Sequence, residues 1–424
     1  VESIYMEREA GAIQLQELER VFEKKLYPKL KGMRRILLIP PDITRLHSGA
    51  GRIAAMIYSR LKDEMTVDFI IALGTHLEMT RAELRQLFGM DIPLERIHFH
   101  RWRVDVAKIG EVPAAYVAEL SGGRMNETIP VEVNRAVING DYDFILSLGQ
   151  VVPHEVVGMA NYSKNIFVGL GGRAMIDATH YLGAVCGIEN ILGRIDTPVR
   201  KVLDYAGEHF LKDMPLYYAM TVVGEAEGKP AVKGFYLDNR RSAFEAAARL
   251  SQRINFEFVD RPMKKVVAYM DPGEFRTTWV GNKAIYRTRM MMADGGELIV
   301  LAPGIEAFGE DREVDDLLTR YGYRDTEGAL ALVAAGPLAQ NRGVAAHMMH
   351  SSPDGRFRVT YGLDRMSRDK AVKGRIRFED YGMLAKKYDP GRLKPGINWV
   401  DGEEVYFIPN PALGLWALRD RLEN

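Results

Sequence analysis

Residues 145–180 read ILSLGQVVPHEVVGMANYSKNIFVGLGGRAMIDATH, from Ile145 to His180. The run ending at Gln150-Val151-Val152 reads as a buried strand. Pro153 and His154 follow it, then Gly158, Lys164, a second apolar run, the glycines 169, 171 and 172, and His180. Two histidines and a lysine set among glycines, at the carboxyl ends of apolar strands, describe the floor of a polar site in an α/β protein.

Working outward, the same grammar recurs upstream. Residues 9–31 predict an amphipathic helix interrupted at Pro28. RRILLIP predicts a strand that ends at Pro40-Pro41 and opens into the loop Asp42-Ile43-Thr44-Arg45. A helix over 48–61 leads to a second strand, TVDFIIALGTH, closing on Gly74-Thr75-His76. Thr80 followed by Glu83 is a capping-box pattern that starts the next helix. Strand, helix, strand, with a polar loop after each strand, is the βαβ pattern of a largely parallel sheet. Between 94 and 140, LERIHFHRW reads as an edge strand, while VPAAYVAELSGG, TIPVEVNRAVING and DYDFILSLG read as further strands and turns.

Downstream, residues 186–211 read as helix, LYYAMTVV as strand and RRSAFEAAARLSQ as helix. VDRPMKKVVAYM, with its proline, basic cluster and fresh apolar run, marks a boundary. The expected organisation is an N-terminal α/β domain over 1–258 and a C-terminal α/β domain over 259–424, with largely parallel or mixed sheets flanked by helices and the active site in the interdomain cleft. The second domain is expected to contain strands GELIVLAPG, RFRVTYG and EVYFIPN, helices EVDDLLTRYG and TEGALALVAA, and a terminal helix through Trp416–Leu422.

Composition bounds the function classes. A chain of 424 residues exceeds the size at which one core keeps growing. Its 57 basic and 57 acidic residues leave no global field to attract nucleic acid or an anionic membrane. No apolar run reaches the roughly 20 residues of a membrane helix, and the start carries no leader pattern. The single cysteine, Cys186, excludes an intrachain disulfide and a cysteine metal cluster; a cytoplasmic setting is the expectation. Gly169-Leu170-Gly171-Gly172-Arg173 fits neither a dinucleotide fingerprint nor a P-loop.

Three of the nine histidines, His76, His154 and His180, follow strand ends or the glycine run, where a parallel sheet makes loops converge. Imidazole suits proton transfer near neutrality and ligation of a transition metal; the plainer alternative is three unrelated polar caps. Arg45 is either a bidentate carboxylate or phosphate ligand or an ordinary loop residue, with Asp42 and Thr44 either orienting neighbours or satisfying backbone groups. Lys164 is either a covalent attachment point, an anion ligand or a packed lysine, and Lys283 has the same ambiguity. His347 and His350, spaced i, i+3, lack neighbouring carboxylates for a metal site, and His98, His100 and His209 read as surface or packed residues.

Taken together, these residues resemble the nickel-dependent lactate racemase family. The D-x-T-R loop is Asp42-Ile43-Thr44-Arg45 and the G-x-H is Gly74-Thr75-His76. The block H-x-x-x-G-x-x-x-x-x-K-x-x-x-x-G runs through His154, Gly158, Lys164 and Gly169 without insertion, with His180 beyond it. The resemblance implies a nickel-pincer nucleotide (pyridinium-3,5-bisthiocarboxylic acid mononucleotide) attached at Lys164, with His180 as the protein ligand of nickel. It implies His76 and His154 as paired acid/base groups, and Arg45 and Lys283 as partners of the substrate carboxylate. Asp42 and Thr44 then order the loop toward the cofactor. The implied reaction is racemisation or epimerisation of a small-molecule 2-hydroxy acid by proton-coupled hydride transfer, with cofactor-biosynthesis proteins as maturation partners.

The chain also departs from that pattern. Trp279-Val280 stands where the family carries Tyr-Gln, and Pro337-Leu338 near a position the founding type fills with tryptophan. Asn161-Tyr162-Ser163 replaces a Gly-Gly-Arg run before the lysine. The implied consequence is retained cofactor machinery with an altered substrate wall, in which Trp279 contacts substrate, and a 2-hydroxy acid other than lactate. The alternatives are another hydride-transfer enzyme using the same cofactor, or a non-catalytic small-anion-binding α/β protein. The oligomeric state is left open.

Overall fold

The structure is a computed structural model that describes residues 1–424 apart from Leu77, Leu413 and Asn424. The chain divides into two compact units, one made of 1–182 and 191–255, the other of 183–190 and 256–424.

The first unit is built on a seven-stranded sheet. Its strands in chain order are β1 (Ile4–Glu7), β2 (Arg35–Ile39), β3 (Thr66–Ile71), β4 (Ile97–Phe99), β5 (Phe144–Gln150), β6 (Leu216–Ala226) and β7 (Lys229–Asp238). Across the sheet they lie β1-β7-β6-β5-β2-β3-β4. From β6 to β4 every neighbour is parallel, while β7 and β1 add antiparallel. The central strands are apolar on both faces, with Ile36–Ile39 and Phe144–Leu146 buried, because crossover helices cover the sheet. One such helix, α1 (Ala50–Leu61), buries most of its surface. Another, α2 (Arg81–Phe88), starts with the expected capping box: Thr80 Oγ1 accepts from Glu83 N at 3.3 Å, and Glu83 Oε2 accepts from Thr80 N at 2.7 Å. Such caps contribute about 1 kcal/mol each.

The second unit repeats the plan. Its six strands are β8 (Met263–Tyr269), β9 (Met292–Ala302), β10 (Arg358–Leu363), β11 (Phe378–Asp380), β12 (Gly396–Val400) and β13 (Glu403–Ile408), laid out β11-β10-β9-β8-β13-β12. All neighbours are parallel except β12, an antiparallel edge. The mixed α/β class with helix-flanked sheets is therefore the observed one.

Several local readings change. VPAAYVAELSGG forms a helix, Ala114–Leu120, started by Pro113, and residues 186–211 form a 3-10 turn (Ile188–Asn190) and a helix from Pro198 to Phe210. The terminal helix gives way to a strand, Leu415–Leu418, paired parallel with Phe256–Val259, and only Asp420–Glu423 is helical. Leu415, Trp416 and Ala417 are all buried, so pairing and burial override helix propensity there. Among the described residues no helix is long and apolar enough to cross a membrane.

Candidate active site

The order of the first sheet places its topological switch between β2 and β5: the chain winds outward from β2 through β3 to β4, then returns to the other side as β5 and β6. Loops leaving adjacent strands at a switch diverge, opening a crevice beyond the carboxyl ends. The D-x-T-R loop leaves β2 there, and His154 leaves β5.

Asp42 is buried and caps the 3-10 turn Ile43–Ser48. Its Oδ1 accepts from Thr44 N at 3.0 Å and Thr44 Oγ1 at 2.5 Å, and its Oδ2 meets His76 Nδ1 at 2.5 Å. Burial pushes the carboxyl upward, but hydrogen bonds from His76 and Thr44 outweigh it and hold the group below the usual aspartate range. With Nδ1–H committed to Asp42, the His76 lone pair lies on Nε2, and the ring is 58% exposed. Arg45 is exposed on the same turn.

Beyond β3, Gly74 N donates to Gly169 O at 2.9 Å, tying the G-x-H turn to the glycine run. Pro153-His154 pairs with Gly158-Met159 in a small antiparallel hairpin. Gly158 has φ +87°, and a Cβ there would lie 2.2 Å from Arg194 O, so only glycine closes this turn. His154 Nδ1 accepts from Val156 N at 3.1 Å, which places the ring proton on Nε2.

The second apolar run is not a strand. Ser163–Phe167 is a short helix, α3, pinned to β5 by Asn165 Nδ2 donating to Ser147 Oγ at 2.8 Å. Lys164 is its second residue. His180, behind the glycine run, lies within α4 (Arg173–Val185), whose start is held by Glu132 Oε2 accepting from Ala174 N at 3.2 Å. The apolar positions of 173–185 recur at helical spacing, which overrides the breaking effect of the preceding glycines.

These side chains share one electrostatic environment. Burial lowers the Lys164 ammonium to about 8, helped by the Arg45 charge. His154 is held well below the ordinary histidine value by burial first, then by Lys164, Arg45 and His180. His180 is lowered by burial and partly restored by its bond to Ile176 O. Lys164 is within electrostatic reach of Arg45 and Asp42, and His154 of Lys164, Arg45 and His180, while His76 bonds Asp42 directly.

The donor set fits the implied cofactor. Among the described residues no group of three or more His, Cys, Asp or Glu could hold a metal. A site with one protein ligand and the remainder supplied by a cofactor needs none. His180 Nδ1–H donates to Ile176 O at 2.7 Å, leaving the Nε2 lone pair for a metal, the second-sphere arrangement that orients ligating histidines. Lys164 Nζ makes no protein hydrogen bond among the described residues, and a desolvated amine poised near neutrality suits covalent attachment.

The remaining candidates belong to the second unit. Trp279 stacks on His347 at a ring distance of 4.3 Å. Lys283 opens the short helix Lys283–Thr288, behind buried Asn282, whose Oδ1 accepts from Tyr361 OH at 2.5 Å. His347 and His350 are buried on the helix Arg342–Ser351, and His347 Nε2 bonds Tyr323 OH at 2.8 Å, a packing role. Leu338 is fully buried.

Three further residues of the first unit support the site; of these, Glu155 and Arg200 were missed by sequence reasoning, and His100 is the packed residue it was read as. Glu155 acts electrostatically on His154, Lys164 and His180, and its place beside His154 was a usable signal. His100 joins Gly171 O and Asn134 Nδ2, each at 2.9 Å, and so supports the glycine run. Buried Arg200 stands behind Lys164; nothing in the sequence marks it. A cavity of about 450 Å³ at the sheet edge, lined by His98, Arg101, Asp105 and Arg135 among others, includes none of the candidates.

Comparison with known proteins bears on the fold of nearly the whole chain and on the sequence of its N-terminal part. No curated protein sequence matches it. A crystal structure of a protein from Thermotoga maritima superposes with a TM-score of 0.78 at 23% identity, covering 98% of this chain and 100% of that one. The lactate racemase apoprotein from Thermoanaerobacterium thermosaccharolyticum superposes with a TM-score of 0.70 at 18% identity, covering 94% and 91%. At these identities the likeness is one of fold. Residues 6–190, the stretch that carries Asp42, Arg45, His76, His154, Lys164 and His180, match the family model of the lactate racemase N-terminal domain.

Proposed function

We propose that this chain is a racemase or epimerase of a 2-hydroxy acid, working with a nickel-pincer nucleotide attached at Lys164 and with nickel held by His180. The observation that carries the reading is the convergence of a carboxylate-supported histidine, a second enclosed histidine, an unpaired lysine and an arginine at one switch-point crevice, inside the segment that matches the racemase domain model. Binding an anion alone needs an arginine or lysine; it does not need two histidines with different proton arrangements.

When bound, the cofactor would supply a hydride acceptor and donor, chemistry that no protein side chain offers. The protein's part is orientation and proton handling. Arg45 binds the substrate carboxylate as a bidentate pair; a substrate role for Lys283 of the second unit is carried by the family resemblance alone. His76, with Nδ1–H held by Asp42, takes the substrate hydroxyl proton on Nε2. His154 presents Nε2–H as a donor to the substrate oxygen; to act as base toward the other enantiomer it gives up the bond from Val156 N and carries its proton on Nδ1, leaving the Nε2 lone pair to take the hydroxyl proton. His154 is part-buried and the Lys164 charge disfavours its protonated form; a lysine holding the cofactor through an uncharged linkage would no longer do so. Trp279 in place of a polar pair supports a substrate with a less polar or larger 2-substituent than lactate.

The test is co-expression with cofactor-making proteins, then incubation of nickel-loaded protein with single enantiomers from a panel of 2-hydroxy acids, resolved by chiral chromatography. Interconversion of at least one pair is the expected result. A loaded protein that leaves every enantiomer intact overturns the reading; accumulation of the 2-keto acid in its place assigns a different hydride-transfer outcome.

A further inference from the structure

Immediately before Lys164 the backbone is held in an unusual shape. Asn161 (φ 70°) and Tyr162 (φ 56°) are, among the described residues, the only two consecutive non-glycine residues with positive φ. Tyr162, at φ 56° and ψ −135°, lies in territory that glycine occupies and other residues avoid. Such a conformation persists only where the surroundings over-determine it.

The surroundings here are specific. The helix α5 (Pro198–Phe210) carries Arg200, whose side chain is completely buried. One terminal nitrogen donates to Ser163 Oγ at 2.8 Å and to Asn161 O at 3.2 Å. The other donates to Met159 O at 2.6 Å and to Asn161 O at 3.2 Å. The guanidinium lies 4.3 Å over the Phe244 ring, which also stacks on Tyr162 at 5.4 Å. Ser163 in turn donates to Asp204 Oδ1 at 2.7 Å, and Asp204 pairs with Arg241 at 3.0 Å. A fork with five donors in fixed geometry can hold several acceptors at once; an ammonium cannot reproduce that plane.

We propose that Arg200 is a positioning residue for Lys164: by gripping the carbonyls of Met159 and Asn161 and the hydroxyl of Ser163, it fixes the left-handed turn that aims the lysine for cofactor attachment. This rests on the reading of Lys164 as the tether. Arg200 touches no substrate and acts through the turn, in the segment where the chain departs from the family's Gly-Gly-Arg run. A glycine-free turn needs an external clamp, and α5 provides it.

The test compares wild type, Arg200→Lys and Ser163→Ala after co-expression with the cofactor-making proteins, reading adduct fraction by intact mass and folding by thermal melting. Arg200→Lys keeps the charge facing Asp204, so it is expected to fold, with at least a fivefold loss of adduct. Ser163→Ala removes one arm of the grip and is expected to lose about half the adduct, with a melting curve close to wild type. Exchange of backbone amides should rise over 159–165 in both variants. If Arg200→Lys melts lower but carries adduct at the wild-type level, the residue is structural only and the proposal fails. Should Arg200→Lys not fold, a wild-type adduct level in Ser163→Ala overturns it equally. Wild type without adduct at Lys164 overturns the tether reading instead, and the positioning role with it.

Discussion

The two units have the same plan and different polar residues at the same place. In each, the first parallel strand winds outward to one side and the chain then returns to the other, so each has a switch point: β2 against β5 in the first unit, β8 against β13 in the second. At the first switch lie Asp42, Arg45 and His154, with Lys164 and His180 close enough to shift the histidine's proton affinity. At the second, Asn410 donates to Glu274 at 3.0 Å and Asp271 accepts from Gly273 N at 2.8 Å, loop bonds that satisfy one another. The histidines differ likewise. His347 of the second unit is bonded to Tyr323 through Nε2 and stacked on Trp279, whereas His76 and His180 of the first commit Nδ1, to Asp42 and to Ile176 O. Topology supplies a crevice; the residues at its rim decide whether it is a site.

The sharpest way to break this comparison is at Lys164. Lys164→Ala is expected to abolish the cofactor adduct and all turnover while leaving the melting temperature unchanged or higher, because an unpaired, desolvated amine stabilises nothing. An adduct of unchanged mass in the mutant would sink the assignment of chemistry to the first crevice. Next in size, His76→Ala and His154→Ala should each slow interconversion by roughly 10²–10⁴-fold, the usual worth of a positioned acid or base, with nickel content retained. Wild-type turnover in either variant removes the two-histidine scheme.

Stability against pH sharpens the contrast further. The Lys164 ammonium goes from 10.5 in the unfolded chain to about 8 in the fold, by burial and then by Arg45. Between these values the unfolded chain holds the proton and the folded chain does not, so stability rises with pH across pH 8–10.5. His347 goes from 6.5 to about 3 by burial, then by His350, so the same sign applies across pH 3–6.5, and stability is lost as pH falls through that window. Denaturant melts of Lys164→Met should flatten the alkaline limb by roughly 2 kcal/mol, after allowance for the lysine's partial solvent access. His347→Phe should flatten the acid limb by a few kcal/mol. Unchanged limbs in both variants would mean that these groups are solvated in the fold.

Much of the first crevice was legible because its signals are local and periodic. Apolar runs ending in polar loops mark β2, β3 and β5, and the Thr80–Glu83 capping box marks the helix after β3. What was not legible depends on partners far along the chain. The run after Lys164 is apolar whether strand or helix, and only the bond from Asn165 to Ser147 and the turn before it select α3. Residues 415–418 form a strand because residues 256–259 offer an edge, a pairing that no local pattern announces. Arg200 reads as one more arginine in a charged helix; its burial follows from the three acceptors it meets 37 or more residues upstream in sequence. Asp42, by contrast, was visible as a loop residue, but its bond to His76 required the β2–β3 adjacency.

That bond makes the smallest and most discriminating test. Asp42→Asn keeps size and the cap, since the amide oxygen can still accept from Thr44 N, but it removes the charge opposite His76 Nδ1. Outer-sphere partners of catalytic or ligating histidines are typically worth 10–100-fold, so interconversion should fall by that factor, less than in His76→Ala. The pH profile of that loss separates orientation of the His76 ring from electrostatic support by the carboxylate. A loss that is constant across pH therefore assigns Asp42 to orientation, and one that varies assigns it to charge. The counterpart in the second crevice is Asn410→Ala, which removes the hydrogen bond to Glu274 and the one accepted from Ala412 N, and should cost about 1 kcal/mol of stability with turnover unchanged. If that loop change slowed the reaction as much as Asp42→Asn, the two switch points would be chemically equivalent, and the division of labour drawn between the units would have to be abandoned.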